Sequence, residues 1–400
     1  MNRRSRAGWL RCTLQIAAVI GIGVIHGTCS ASSDRHCLAR DLRSDVRLDR
    51  AVDSIVNAAL EDGFSGQVAI ARNDRLIYSR AAGFSDNDHE VPVTAATLFQ
   101  VSSLTKYLTA TLVMAALDQG RLDTADSVRS LAPGTHLAQH DITFAQLLSH
   151  RSGLGSSYAA EGLADADAAL GAIDRQPFDA DRIGQFHYSN DGYDTLAILI
   201  ERLYRRPFEA LVREEVFEPA CMHHARLWAD LDARDPRRVG QPVEPISAGL
   251  FERNYGFLGS MGMLVNADDL VAFEVAMHSG RVLRRSTYEE LIRPRVQTSI
   301  GMAAYGAFVS QVPGIGTRIA ALGSEDWGDN AILADYPDCG FVVAVVTSKG
   351  PLEVKGDRLF RSRISSAIEP LLAKRCSKGP PEPAENRKFA GAVGANGGQR

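Results

Sequence analysis

The sequence predicts an α+β fold: one antiparallel sheet assembled from both ends of the chain, with a mostly helical lobe inserted between them. Three observations carry this prediction. Short apolar runs bounded by turn residues occur early, at 67–71 and 76–81, and again late, at 305–312, 317–322, 330–334 and 341–347. Between these groups, from 122 to about 293, the pattern is helical, with Gly and Pro punctuation and long loops such as 230–249. A last helical stretch, 355–373, follows the final strand. Together they place a folded domain at 45–376, with one lobe at about 45–120 plus 295–376 and a helical lobe at about 121–294.

Taken in order, residues 1–11 are arginine-rich, 13–25 are apolar, and Gly27-Thr-Cys-Ser-Ala31 is small, the layout of a secretory signal peptide over 1–31. The apolar stretch is short for a membrane span, so no stable span is expected after cleavage near Ala31. The mature chain is therefore expected in the periplasm or outside the cell. A retained signal anchor, lipidation at Cys29 and twin-arginine export through Arg3-Arg4 are the alternatives. Residues 67–71 and 76–81 alternate about Asn73-Asp74, which reads as a hairpin. The stretch 98–120 enters a helix whose Leu108, Leu112, Ala115 and Ala116 have the spacing of a buried face. A turn precedes a helix at 194–202. From Ser377 the chain is Gly/Pro-rich and polar, so 377–400 reads as a disordered tail.

Composition narrows the function. Four hundred residues with 45% apolar content can bury a large core. A net charge of -4, with no basic stretch in the mature region, argues against nucleic acid as a partner. No Cys-x-x-Cys or His-Glu-x-x-His spacing occurs, though Cys221-Met-His-His224 could suggest a metal.

Two short motifs carry chemistry. Ser103-Leu-Thr-Lys106 places a hydroxyl and an amine one helical turn apart at a helix start, where backbone N–H groups and the positive dipole end favour an oxyanion. Lysine is scarce in this chain, and Lys106 sits among small and apolar residues, surroundings that disfavour an unpaired ammonium. Taken alone, a serine at a helix start is an N-cap. Tyr188-Ser-Asn190 offers a hydroxyl able to shuttle a proton and an amide able to orient the lysine and substrate. Its other reading is a turn, with Asn190 and Asp191 as turn and cap residues. No serine is flanked as Gly-x-Ser-x-Gly, so the nucleophile elbow of α/β-hydrolases is absent.

Four ordered segments resemble the serine β-lactamase-related family, which includes class C β-lactamases, DD-peptidases, D-aminopeptidases and certain esterases. They are Leu98-Phe-Gln-Val-Ser-Ser-Leu-Thr-Lys106, Leu147-Leu-Ser-His-Arg-Ser-Gly-Leu154, Tyr188-Ser-Asn190 and Gly259-Ser-Met-Gly-Met-Leu-Val-Asn-Ala-Asp-Asp-Leu270. The resemblance implies a β-lactamase/transpeptidase-like fold with the site between the lobes. It implies Ser103 as acylated nucleophile, Lys106 and Tyr188 jointly as the proton-transfer pair, and Asn190 as polar orienter. His150 and His187 are then expected to support loops. The resemblance also implies a helix end and turn at Cys221-Met-His-His224, and neither metal nor cofactor is expected.

The third motif departs from the family. Where relatives carry Lys-Thr-Gly or His-x-Gly, this chain reads Gly323-Ser-Glu-Asp-Trp-Gly328. Ser324, Glu325 and Asp326 are thus candidates for substrate binding or for supplying an oxyanion N–H, and carboxylate recognition is in doubt. Small esters or peptide-like amides are expected as substrates ahead of β-lactams. The altered motif also leaves open a catalytically silent relative that binds a ligand in the same cleft, and a true β-lactamase or DD-peptidase remains a further alternative. In the family the terminal helices pack side by side, which implies a Cys37–Cys376 disulfide in an oxidising compartment. Four free thiols at 37, 221, 339 and 376 are the alternative.

Overall fold

The structure, a computed structural model, describes residues 37–42, 45–230, 235–244, 252–350 and 359–376. The expected signal peptide at 1–31, the tail at 377–400, part of the 230–249 loop and the start of the 355–373 helix lie outside the described residues.

The chain opens with β1 (Ala39–Arg40), α1 (Val46–Glu61), the hairpin β2 (Gly66–Arg72) and β3 (Arg75–Ala82), and the short β4 (Phe99–Gln100). The helical section follows as α2 (Thr105–Asp118), α3 (His136–Gln139), α4 (Phe144–Leu148), α5 (Ala166–Asp174), α6 (Asn190–Tyr204), α7 (Phe208–Val212) and α8 (Glu218–Ala220). Strand β6 (Met263–Val265) pairs with β4 on one side and β5 (Arg226–Leu227) on the other in a small second sheet, and α9 (Ala267–His278) and α10 (Arg285–Leu291) complete the helices of this section. The end of the chain returns as β7 (Val296–Thr298), β8 (Gly301–Ala303), β9 (Phe308–Val312), β10 (Gly316–Ser324), β11 (Asn330–Tyr336), β12 (Phe341–Thr347) and α11 (Phe360–Cys376).

The nine-stranded sheet runs β1-β3-β2-β12-β11-β10-β9-β8-β7. The expected joining of the two chain ends is the pairing of β12 with β2 in antiparallel register, Val343 opposite Ile70 and Val345 opposite Val68. Every neighbouring pair is antiparallel except the short edge pair β1–β3. Because side chains alternate along a strand, Val68, Ile70, Val343 and Val345 pack under α1 and α11, while Ala69, Ala71, Val342 and Ala344 face α2 and α9. α2 lies fully inside: all twelve residues from Thr105 to Ala116 are buried. A helix buried all round is a core element, and it sets the Ser103–Lys106 segment between sheet and helical lobe.

The terminal helices do lie side by side, with Asp45 of the α1 cap accepting from Arg375 Nε of α11 at 2.6 Å, and Arg375 holds the Asp45 carboxyl down at about 2. The expected Cys37–Cys376 disulfide is nevertheless wrong. Cys37 is bonded to Cys221, and Cys339 to Cys376. The sheet itself is the reason. Leu38, beside Cys37, packs into the core on the α2/α9 face, whereas Cys376 packs with Cys339 on the α1/α11 face. A second difference concerns 305–307, expected as strand: β9 begins only at Phe308, because Gly306 takes φ +73° in a turn pressed onto α2. Among the described residues no helix is long and apolar enough to cross a membrane.

Candidate active site

Ser103 is presented by a strained turn. The chain leaves β4 and enters α2 through a 3₁₀ turn, Ser102–Leu104, in which Ser102 is held at φ +50°. A non-glycine residue there costs about 1 kcal/mol or more. Burial and a hydrogen bond from Ser102 Oγ to Gln100 Oε1 at 3.0 Å hold it in place. One turn on, Lys106 is 2% exposed, and its Nζ donates to Ser103 Oγ at 3.1 Å and to the Ser260 carbonyl at 2.9 Å. Both acceptors are uncharged.

The Gly259-Ser-Met-Gly segment is the brace for this lysine. Thr109 Oγ1 of α2 donates to Gly259 O at 2.8 Å, and the N–H groups of Gly259 and Ser260 donate to Asp194 Oδ1 of α6 at 3.1 and 3.0 Å. Burial pushes the Asp194 carboxyl up to about 8 against the pull of Lys106. A side chain at Gly259 would meet Tyr193 O at 2.1 Å, so glycine is what lets this segment reach α6.

Tyr188 and Asn190 arrive through the N-terminus of α6, whose cap is Ser189 rather than Asn190 or Asp191: Ser189 Oγ accepts from Gly192 N at 2.9 Å. The Lys106 ammonium position lies 5.0 Å from the Tyr188 ring centroid. His150 stacks on that ring, centroids 4.5 Å apart, and its Nδ1 accepts the Ser189 N–H at 3.1 Å. Burial, with the Lys106 charge behind it, holds His150 down to about 3, so the ring is neutral with its proton on Nε2. His150 is thus a packing and orienting residue for Tyr188, as expected of a loop support. His187 lies further out against Arg182.

Asn190 is buried; among the described residues its Oδ1 has no hydrogen-bond partner, and its side chain neighbours the Tyr158 hydroxyl. Tyr158 is a site residue that sequence reasoning missed. Its loop is fastened to α6 by Asp191, which accepts from Ser157 N at 2.9 Å and from Ala159 N at 3.0 Å. The signal was present as an aspartate at the start of a helix, but its partners lie some thirty residues away in sequence.

A cleft with about 280 Å³ of open space sits over Ser103, Lys106, His150 and Tyr188. Its far wall is Ala303, Ala304, Gly306, Ala307 and Phe308 with Leu322, all small or apolar. The third-motif strand β10 closes one side. Ser324 ends that strand opposite Asn330, Glu325 is half-buried with its N–H donating to Asp329 O at 2.9 Å, and Asp326 is exposed. The Glu325 N–H is therefore already engaged rather than aimed at an oxyanion.

Two groupings among the described residues have metal-type side chains. Cys37, Cys221 and His223 form one, its sulfurs joined as a disulfide. Glu274, His278 and Asp335 form the other, where His278 lies 3.1 Å from both Asp335 Oδ2 and Asp74 Oδ1 and acts as the buried carboxylates' counter-charge. Neither touches Ser103.

The Beta-lactamase family profile matches residues 52–367. Among curated proteins, the chain is 28% identical over 264 residues to the "Putative penicillin-binding protein PbpX" of Bacillus subtilis, covering 63% of this chain and 65% of that one. It is 23% identical over 357 residues to "Penicillin-binding protein 4*" of the same organism, covering 82% and 76%. Among solved structures, D-amino acid amidase from Ochrobactrum anthropi superposes with a TM-score of 0.70 at 19% identity over 83% of this chain and 99% of that one. FmtA from Staphylococcus aureus superposes with a TM-score of 0.67 at 17% identity, covering 86% and 93%. At these identities the structural likeness speaks to the fold.

Proposed function

Since the chain belongs to the Beta-lactamase family, we propose that it is a serine hydrolase that acts through an acyl-enzyme on Ser103, cleaving small esters or peptide-like amides in the periplasm or outside the cell. The observation that carries this reading is the 3.1 Å approach of Lys106 Nζ to Ser103 Oγ at the floor of a cleft. Lys106 and Tyr188 take the hydroxyl proton as Ser103 Oγ bonds to the substrate carbonyl carbon. The tetrahedral intermediate then expels the alcohol or amine, which receives that proton, and water hydrolyses the acyl-enzyme. The N–H groups at the start of the Ser103 turn favour the oxyanion.

The small apolar wall of the cleft suits a short acyl group. β-Lactams fit poorly, because their carboxylate would approach Glu325 and Asp326 instead of a basic third motif. A misplaced charge of this kind costs about 1–4 kcal/mol at intermediate dielectric. The test is a panel of short-chain aryl esters, a chromogenic cephalosporin and D-amino-acid amides, run on wild type and Ser103→Ala. Ester or amide turnover that vanishes in the variant supports the reading; cephalosporin turnover rivalling that of esters would overturn the substrate preference. The altered third motif is the one observation favouring a silent binding protein. Covalent labelling by a fluorophosphonate separates the two.

A further inference from the structure

Glu325 is a half-buried carboxylate just past the end of β10 whose side chain has no hydrogen bond or ion pair among the described residues. Its position is enforced. β10 brings Gly323 against the Ser103 turn, and beyond it Glu325 N and Gly328 N close a loop through Asp329 O at 2.9 Å and Glu325 O at 3.2 Å. Trp327 Nε1 donates to Asp329 Oδ2 at 2.8 Å, and its ring packs with Tyr158 against the apolar cluster around Phe257 and Met261. That anchoring brings Glu325 close enough to Lys106 and to the Tyr158 hydroxyl for its charge to be felt by both.

The chemistry on this side of Ser103 is one-sided. Glu325 and the partnerless Asn190 Oδ1 are acceptors, Tyr158 and Trp327 offer aromatic surface, and Asp326 adds a second negative charge. Among the described residues, the one cation whose charge reaches Glu325, Lys106, already donates to Ser103 and Ser260. Burial pushes the Glu325 carboxyl up to about 7 in spite of Lys106, as for an anion short of counter-charge. Carboxylate beside aromatic rings is the combination that holds an organic cation. Glu325 is outside the lining of the small apolar pocket, which is left for the acyl group. The charged subsite then falls to what departs.

We propose that Glu325, with Tyr158 and Trp327 beside it, forms a cation-binding subsite, and that the preferred substrates are esters or amides whose leaving group carries a positively charged amine. The proposal rests on the serine-hydrolase reading above and extends it to a substrate class. Hydrolysis remains a transfer of the acyl group from the leaving oxygen or nitrogen to Ser103 Oγ and then to water, and the cation takes no part in bond making.

The test uses an isosteric pair, butanoylcholine and 3,3-dimethylbutyl butanoate, which differ in the charge of the leaving group. The expected result is a kcat/KM ratio of tenfold or more in favour of the choline ester in the wild type. Glu325→Gln should bring that ratio to within about threefold of unity, and Glu325→Lys should invert it. A ratio near one in the wild type, or one that survives Glu325→Gln, overturns the proposal while leaving the hydrolase reading intact. If neither ester is cleaved, the hydrolase reading suffers and the subsite is read separately. Choline titrated calorimetrically should then bind the wild type at least fivefold more tightly than Glu325→Gln, and equal or absent binding overturns the subsite.

Discussion

Gly323 and Val101 meet backbone to backbone: a Cβ on Gly323 would lie 1.9 Å from the Val101 carbonyl oxygen, and 3.0 Å from Leu104 N. The edge of β10 and the turn that presents Ser103 are therefore one unit, and the spacing of the cleft depends on a missing side chain. Gly323→Ala is expected to push the strand off the turn. A shift approaching 1 Å near reacting groups costs on the order of a hundredfold in rate. Steady-state kinetics on whichever ester the wild type cleaves checks this; an unchanged kcat/KM in the alanine variant would show that the contact does not shape the site.

The Ser103–Lys106 pair makes the firmest kinetic prediction. Ser103→Ala should lose roughly 10⁴-fold or more of turnover, since little else can form the covalent intermediate. Lys106→Met should slow fluorophosphonate labelling of Ser103 as well as turnover. Wild-type activity in Ser103→Ala would mean another nucleophile.

Disulfide mapping offers a test independent of activity. Peptide mapping of the non-reduced protein should yield Cys37–Cys221 and Cys339–Cys376 peptides. Recovery of a Cys37–Cys376 peptide would refute the arrangement of the two sheet faces. Removing either bridge is expected to cost roughly 2–5 kcal/mol in the chain-entropy picture. The larger loss belongs to the pair 184 residues apart rather than the pair 37 apart.

His150 predicts an acid limit to stability. Its folded-state value of about 3 lies below the ordinary 6.5, so between those pH values the unfolded chain binds a proton that the folded chain does not. The sign follows: the contribution is complete above about pH 6.5 and is lost as pH falls toward 3, at about 1.4 kcal/mol for each pH unit crossed. His150→Gln keeps an acceptor for the Ser189 N–H and removes the titration. Denaturant melts from pH 7 to 4 should show a shallower decline for this variant; parallel declines would mean that His150 is not the group responsible.

Much of this protein is readable from local pattern. Strand alternation at 67–71 and 341–347, the buried helix after Ser103, and the i,i+3 spacing of Ser103 and Lys106 are properties of neighbouring residues. The sequence by itself therefore determined the two-ended sheet, with the helical lobe between its halves, and the pairing of hydroxyl with amine. What it left open depends on which layer a residue joins. Cys37 and Cys376 flank helices that do pack together, yet the sheet separates their sulfurs, and only the path of β1 beside β3 reveals it. The placing of Tyr158 by Asp191, the neutral His150 behind Tyr188, the turn at Gly306 and the half-buried Glu325 are likewise contacts between distant segments. Local periodicity assigns a residue to a strand or a helix face. Burial, charge and partner come from the elements that fold against it, and only the tertiary structure decided those.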